Sequence, residues 1–218
     1  MKKLILITLL ILMISFFCGC SLLYDYEIYA AGSFDVGYSK SLKNAYLGLY
    51  RWDGTDDGMC IMIPEYYNNI QIKGLGGYYG RGVPTSFGIA PTEEAKNMLC
   101  PNATQWAYAT HTPHIVANSV QYLRFTVNIS KYIQEIENVS VGGIIVAEYA
   151  DKDETKYNIY ILTCYVTCDE DNKTFYAKDG KLYFRKNNTL VEGFIYDDFD
   201  LEQHNETYKD KTPWLYPF

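Results

Sequence analysis

The chain has 218 residues, a formal net charge of −7 and an isoelectric point near 5.0. A balance this acidic leaves no electrostatic means of holding nucleic acid or an anionic membrane surface, and the length suits one domain with a core of its own. The 22 tyrosines are the main compositional excess; they suit half-buried strands, with an apolar body and a polar tip, and equally sugar or protein contact surfaces.

The first segment predicts export. Met1-Lys2-Lys3 is a short basic start, and Leu4 to Phe17 is an almost unbroken apolar run. A run of about 14 residues fits a signal peptide and is short for a membrane span of about 20. Its end, Phe17-Cys18-Gly19-Cys20-Ser21, resembles the lipobox of bacterial lipoproteins, although Phe17 stands where that motif usually has leucine. The resemblance implies cleavage after Gly19 and a lipid on Cys20, which would tether the protein outside the cytoplasm; plain secretion is the alternative. The expected organisation is residues 1–19 as signal, 20–40 as anchor and leading segment, and 41–218 as a single β-rich extracytoplasmic domain. Cleavage removes Lys2 and Lys3 and no acid, which leaves 199 residues with a net charge of −9.

Residues 24–40 read as a leading segment with one strand, and Tyr46–Trp52 as a second, ended by the turn pair Asp53-Gly54. Cys60–Ile63 is short and apolar, stopped by Pro64, and Asn69–Ile72 alternates. Gly74–Pro84, with five glycines, reads as loop or tight turns. Thr92 caps a predicted helix through Leu99, with Glu93 and Glu94 at its positive end and Ala95, Met98 and Leu99 on one face. Residues 100–115 read as irregular. Gln121–Ile129 is the clearest strand, since Leu123, Phe125, Val127 and Ile129 alternate with polar residues. Ser130–Glu137 reads as a helical turn, and Val139–Tyr149 as apolar chain broken by Gly142-Gly143. Tyr157–Cys168 is apolar on both faces, as in a central strand covered from two sides. Asp179-Gly180 predicts a hairpin between Lys173–Ala177 and Lys181–Arg185. Leu190–Tyr196 is a last strand candidate, and Asp197–Glu206 and the aromatic ending read as loop.

Four cysteines follow the signal: Cys60, Cys100, Cys164 and Cys168. In a straight strand Cys164 and Cys168 lie about 13 Å apart, beyond the ~7 Å that a disulfide allows between Cα atoms, so they pair only if the chain turns between them. Bridges elsewhere and buried thiols both remain open.

Motifs for catalysis or cofactors are few. Gly74–Gly82 matches neither dinucleotide nor phosphate-loop spacing. It displays Tyr78, Tyr79 and Arg81, residue types enriched at binding hot spots, and is the candidate binding loop. Asp53–Gly58 lacks a calcium loop's terminal glutamate, since Pro64 stands there. His111 and His114 flank Pro113, which removes the helix that would align them on a metal. No nucleophile elbow is present. Six Asn-x-Ser/Thr sequons, at Asn102, Asn128, Asn138, Asn172, Asn187 and Asn205, carry meaning only in a eukaryotic secreted protein.

Two segments share a layout. Ile61-Met62-Ile63-Pro64 leads to Ile70–Gly76, and Phe125–Ile129 leads to Ile133–Ile136. A third region runs Val166-Thr167-Cys168-Asp169-Glu170-Asp171-Asn172, then Lys178-Asp179-Gly180-Lys181-Leu182-Tyr183, then Asn188-Thr189-Leu190. Together they resemble the leucine-rich repeats of BspA-type bacterial surface proteins, over about half the mature chain. The resemblance implies repeats of about 20 to 29 residues stacked into a short β-solenoid with a few helical turns. The glycine-rich block and residues 85–121 depart from it, and a compact antiparallel β-sandwich is the alternative. The expected function is a non-catalytic binding or adhesion module at the cell surface, without cofactor or metal, for a protein or carbohydrate partner. The alternatives are an exported glycan-acting hydrolase with an unrecognised carboxylate pair and a structural envelope accessory protein.

Overall fold

The computed structural model describes residues 25–27, 34–39, 43–79, 83–151, 154–212 and 215–217; the signal segment and Cys20 lie outside them. Strands dominate, in several sheets, none of them closed. In chain order they are β1 (Asp25–Glu27), β2 (Phe34–Ser39), β3 (Asn44–Trp52), β4 (Cys60–Met62), β5 (Tyr66–Tyr67), β6 (Ile70–Leu75), β7 (Gly77–Tyr79), β8 (Val83–Thr85) and β9 (Phe87–Pro91). After helix α1 (Glu93–Leu99) come β10 (Gln105–Ala109), β11 (Ala117–Ile129), β12 (Glu135–Ile136), β13 (Val139–Ser140), β14 (Gly143–Asp151), β15 (Glu154–Cys168), β16 (Phe175–Lys178) and β17 (Lys181–Phe184). Helix α2 (Leu201–Thr207) and β18 (Leu215–Pro217) complete the described chain.

Two large sheets share one core. The first runs β1-β2-β3-β6-β12, with β5 paired to β6 and β9 paired to both β3 and β13; the second runs β18-β10-β14-β15-β11-β4. Trp52 on β3 meets Phe125 on β11 edge to face, with ring centroids 5.3 Å apart, so the sheets interlock through their largest side chains. The indole Nε1 also donates to the Thr55 carbonyl at 2.9 Å, which satisfies the one polar atom carried inside.

Parallel pairing is extensive. β4, β11 and β15 lie side by side in parallel, placing Ile61, Val127 and Val166 in one buried row. β6 pairs in parallel with β3 and β12, aligning Leu47, Leu75 and Ile136. β9 pairs in parallel with β13, and Val141 bridges to Phe194 beyond it. The two segments of shared layout therefore rest on each other twice, β4 against β11 and β6 against β12. β10, β14 and β15 pair antiparallel, so the second sheet is mixed.

The buried Asn172 joins consecutive parts of this stack. Its Nδ2 donates to the carbonyls of Ser130 (2.9 Å) and Ile133 (3.0 Å), and its Oδ1 accepts from the amides of Thr174 (2.8 Å) and Phe175 (2.7 Å). Gly76 lies where β6 meets the segment after β12: its φ is 67°, and a Cβ there would sit 1.8 Å from the Glu137 carbonyl oxygen.

Several predicted elements are corrected. Gln105–Ala109, read as irregular, is strand β10, because β14 offers it a full-length edge. Residues 130–137 form a turn and the short β12 rather than a helical turn, since β6 pairs with it. Asp197–Glu206, read as loop, contains α2, capped by Asp200, whose Oδ1 accepts from the amides of Glu202 and Gln203. The ending is strand β18 against β10 over the described residues. Leu190–Tyr196 makes single bridges instead of a strand. The glycine-rich block holds the end of β6 and the hairpin β7–β8. On α1, Met98 faces solvent, while Ala95 and Lys96 are buried; the Lys96 ammonium reaches Glu93 at 2.9 Å. Strand bounds for β3, β4 and the hairpin β16–β17 fall close to those predicted, as does the Thr92 cap of α1, while β6 runs on to Leu75, past the predicted Ile72.

Candidate functional site

A cleft of about 800 Å3 is lined by residues of both large sheets. Its floor is backbone of small residues: Gly88 on β9, Ser140 on β13 and Gly193 beside it. Gly193 has a φ of 88°, and a Cβ there would lie 2.3 Å from the Val139 carbonyl oxygen, so only glycine lets the two segments approach. Leu49, Ile89, Ile144 and Phe194 contribute apolar lining, and Tyr108 on β10 lines it as well. The Tyr108 hydroxyl donates to the Ile89 carbonyl at 3.3 Å, tying the second sheet to the first, and burial pushes its pKa up to about 12.

The rim comes from the C-terminal part of the chain: Phe199 before α2, His204 on it and Tyr216 on β18. His204 Nε2 lies 2.9 Å from the Thr110 carbonyl, an acceptor that places the proton on Nε2. The His204 ring packs between Phe199 and Tyr208. Next to it, Asn205 Oδ1 accepts from the Thr112 amide at 2.8 Å, and its Nδ2 donates to the Thr112 hydroxyl at 3.0 Å. These bonds pin α2 over the cleft. Its described lining contains no Asp, Glu, Lys or Arg, and the polar side-chain groups are the hydroxyls of Ser86, Ser140, Thr110, Tyr108 and Tyr216 with the His204 imidazole. Such a surface suits an uncharged ligand group, apolar or aromatic, oriented by a few hydroxyls.

Cys20 and Arg81 lie outside the described residues. Tyr78 and Tyr79 belong to β7, paired to Pro84 and Val83 of β8. That hairpin runs directly into the cleft wall, since Thr85 is followed by Ser86. Asp53 accepts from the amide and hydroxyl of Thr55, closing an acidic turn on itself. His111 is buried, with Nδ1 beside the Thr110 hydroxyl and Nε2 beside the Lys211 carbonyl. Among the described residues no group of three or more His, Cys, Asp or Glu is gathered as for a metal. The four cysteines are free; Cys100 and Cys164 are buried, and burial raises the Cys164 thiol and pushes Cys168 up to about 11. Asn172 is buried with both amide atoms bonded, so its sequon offers no glycan acceptor in the folded protein.

Tyr108, Ser140, Phe194 and His204 escaped sequence reasoning. The only local signals near them are Gly142-Gly143 and Gly193, which mark close backbone approaches. No protein-family model matches the chain, and neither a curated protein nor a solved structure is detectably similar to it.

Proposed function

We propose that this is a bacterial surface lipoprotein, anchored outside the cytoplasm through a lipid on Cys20, that binds a protein or glycan partner without catalysis. The observation that carries the binding reading is the uncharged cleft between the sheets, with its glycine-and-serine floor and aromatic rim. Its described lining lacks any carboxylate, which favours binding over glycan hydrolysis, where two are needed. The parallel ladders β4–β11–β15 and β6–β12 support a short stack of BspA-like repeats, and the buried Asn172 supports the part of the resemblance that ends on that residue. Among the described residues no helix is long and apolar enough to cross a membrane. Tyr78 and Tyr79, on the strand β7 of the hairpin that leads into the cleft, and Arg81, which follows them in sequence, remain the second candidate for contact with the partner.

The anchor is tested by labelling cells with radioactive palmitate: the wild-type protein takes up label and the Cys20→Ala variant does not. Equal labelling of both, or of neither, removes the anchor. The cleft is tested by screening the processed protein against arrayed glycans and extracellular matrix proteins. The expected ligand loses at least about tenfold in affinity, ~1.4 kcal/mol, when Ser140→Trp fills the floor. Loss in Tyr79→Ala, Arg81→Ala with Ser140→Trp unaffected would move the site to the hairpin. Binding untouched by either substitution would sink both sites.

A further inference from the structure

The last strand lies on the sheet lightly and over important ground. β18 pairs with β10 at three positions, Ala109 with Leu215, Tyr108 with Tyr216 and Ala107 with Pro217. All three of its residues are exposed, Leu215 at 44% and Tyr216 at 54%. The net gain of a backbone hydrogen bond over one to water is of the same order as the entropy cost of ordering one residue. A strand this short that buries so little therefore rests near balance. Helix α2 is held separately, by His204 on the Thr110 carbonyl and Asn205 on Thr112, and the Lys211 carbonyl lies 3.1 Å from His111 Nε2. None of these contacts depends on β18. What β18 covers is the edge of β10, whose other edge is taken by β14. Tyr216 lines the cleft, and Pro217 lines a second pocket of about 530 Å3 together with Gln105 and Trp106 of β10.

We propose that β18 is a placeholder for an extended peptide segment of the partner protein, which displaces it, pairs antiparallel with β10 and sets an aromatic side chain on the cleft where Tyr216 stands; this rests on the reading of the cleft as a binding site. Three observations select a peptide. A strand edge is matched by the backbone donors and acceptors of another strand, which a glycan lacks. The described lining of the cleft holds no Asp, Glu, Lys or Arg, so the side chain it takes is uncharged. The chain's own Leu215-Tyr216-Pro217, seated on the same ground, shows that an aromatic residue followed by proline fits it in extended form. Gln105 and Trp106 continue β10 beyond the described register of β18, so a longer segment gains pairs that β18 does not make. In the unbound protein β18 caps that edge, which shields it from indiscriminate pairing.

The probe is a fluorescein-labelled synthetic peptide with the sequence of residues 212–218, added to the full-length chain and followed by anisotropy. Leu215→Gly with Tyr216→Gly weakens β18 in place. Both positions are exposed, so the urea midpoint should stay at the wild-type value. The glycine variant is expected to bind the probe at least about tenfold more tightly than the wild type, whose own tethered strand competes at high effective concentration. Adding Ser140→Trp to the glycine variant, or replacing the probe's tyrosine with aspartate, is expected to abolish that binding. No saturable binding to the glycine variant, equal binding to both proteins, or binding that ignores Ser140→Trp or the aspartate probe overturns the proposal. The cleft reading fails separately, on a ligand from the arrays whose affinity ignores Ser140→Trp.

Discussion

Replacing Asn172 with alanine is expected to lower the unfolding free energy by about 4 kcal/mol. The side chain is 1% exposed and makes four hydrogen bonds, all to backbone. Truncation orphans the Ile133 carbonyl and the amides of Thr174 and Phe175 at the start of β16, while the Ser130 carbonyl keeps the Ile133 amide at 3.3 Å. Each orphaned group costs about 1–3 kcal/mol where water cannot reach it, and partial hydration keeps the total below the simple sum. A domain of this kind has about 5–15 kcal/mol in all, so the variant should sit near its unfolding transition at ambient temperature. Urea titration followed by tryptophan fluorescence reads the loss, since Trp52 is buried against Phe125. A loss under about 1 kcal/mol would refute the role assigned to the amide. The Asn172→Asp variant separates hydrogen bonding from packing. Its carboxylate would face the Ser130 and Ile133 carbonyls, and burial would raise its pKa above the unfolded ~3.9. A raised folded pKa makes stability greatest below the unfolded value and lost as pH rises through the folded one. That variant should therefore approach the wild type in acid and fall away toward neutrality, a pH dependence that the alanine variant lacks.

Strand content was legible wherever a segment's own pattern settled its state. β11 shows it: Phe125, Val127 and Ile129 alternate inward along a stretch whose two faces differ in polarity. The hairpin β16–β17 was legible because Asp179 and Gly180 both take positive φ, as the turn requires. β10 was not, because Gln105–Ala109 becomes a strand only when β14, about forty residues later, pairs with it. Helix α2 left a signal that the acidic composition masked: Asp200 at the cap with Gln203 three residues on. The cleft was illegible for a stronger reason. Gly88, Ser140 and Gly193 lie about fifty residues apart in sequence and share a floor only after parallel strands stack in register. No local motif encodes that meeting, and the candidate loop at Tyr78–Arg81 was the nearest feature that sequence reasoning could single out.

Gly76→Ala is expected to cost about 3–5 kcal/mol and to weaken cleft binding as well, although Gly76 is not among the residues lining the cleft. Two separate penalties act there. Its φ of 67° disfavours any residue with a Cβ, by about 1–2 kcal/mol. The larger penalty is collision: the Cβ would lie 1.8 Å from the Glu137 carbonyl oxygen, and a backbone group cannot swing aside as a flexible side chain does. Relief requires moving the 135–138 segment away from β6, which breaks the bond from the Glu137 amide to the Leu75 carbonyl at 3.0 Å. The same displacement pulls on the bond from the Phe87 amide to the Asn138 carbonyl at 3.2 Å, and with it the register of Gly88 against Ser140. The cleft floor is made of that register. Gly76→Asn tells the two penalties apart, since asparagine tolerates the left-handed conformation but keeps the Cβ. If collision dominates, the asparagine variant is within about 1 kcal/mol of the alanine one, and both lose ligand. If asparagine restores wild-type stability, the cost was conformational alone, and the close approach of Gly76 to Glu137 does not exist in solution.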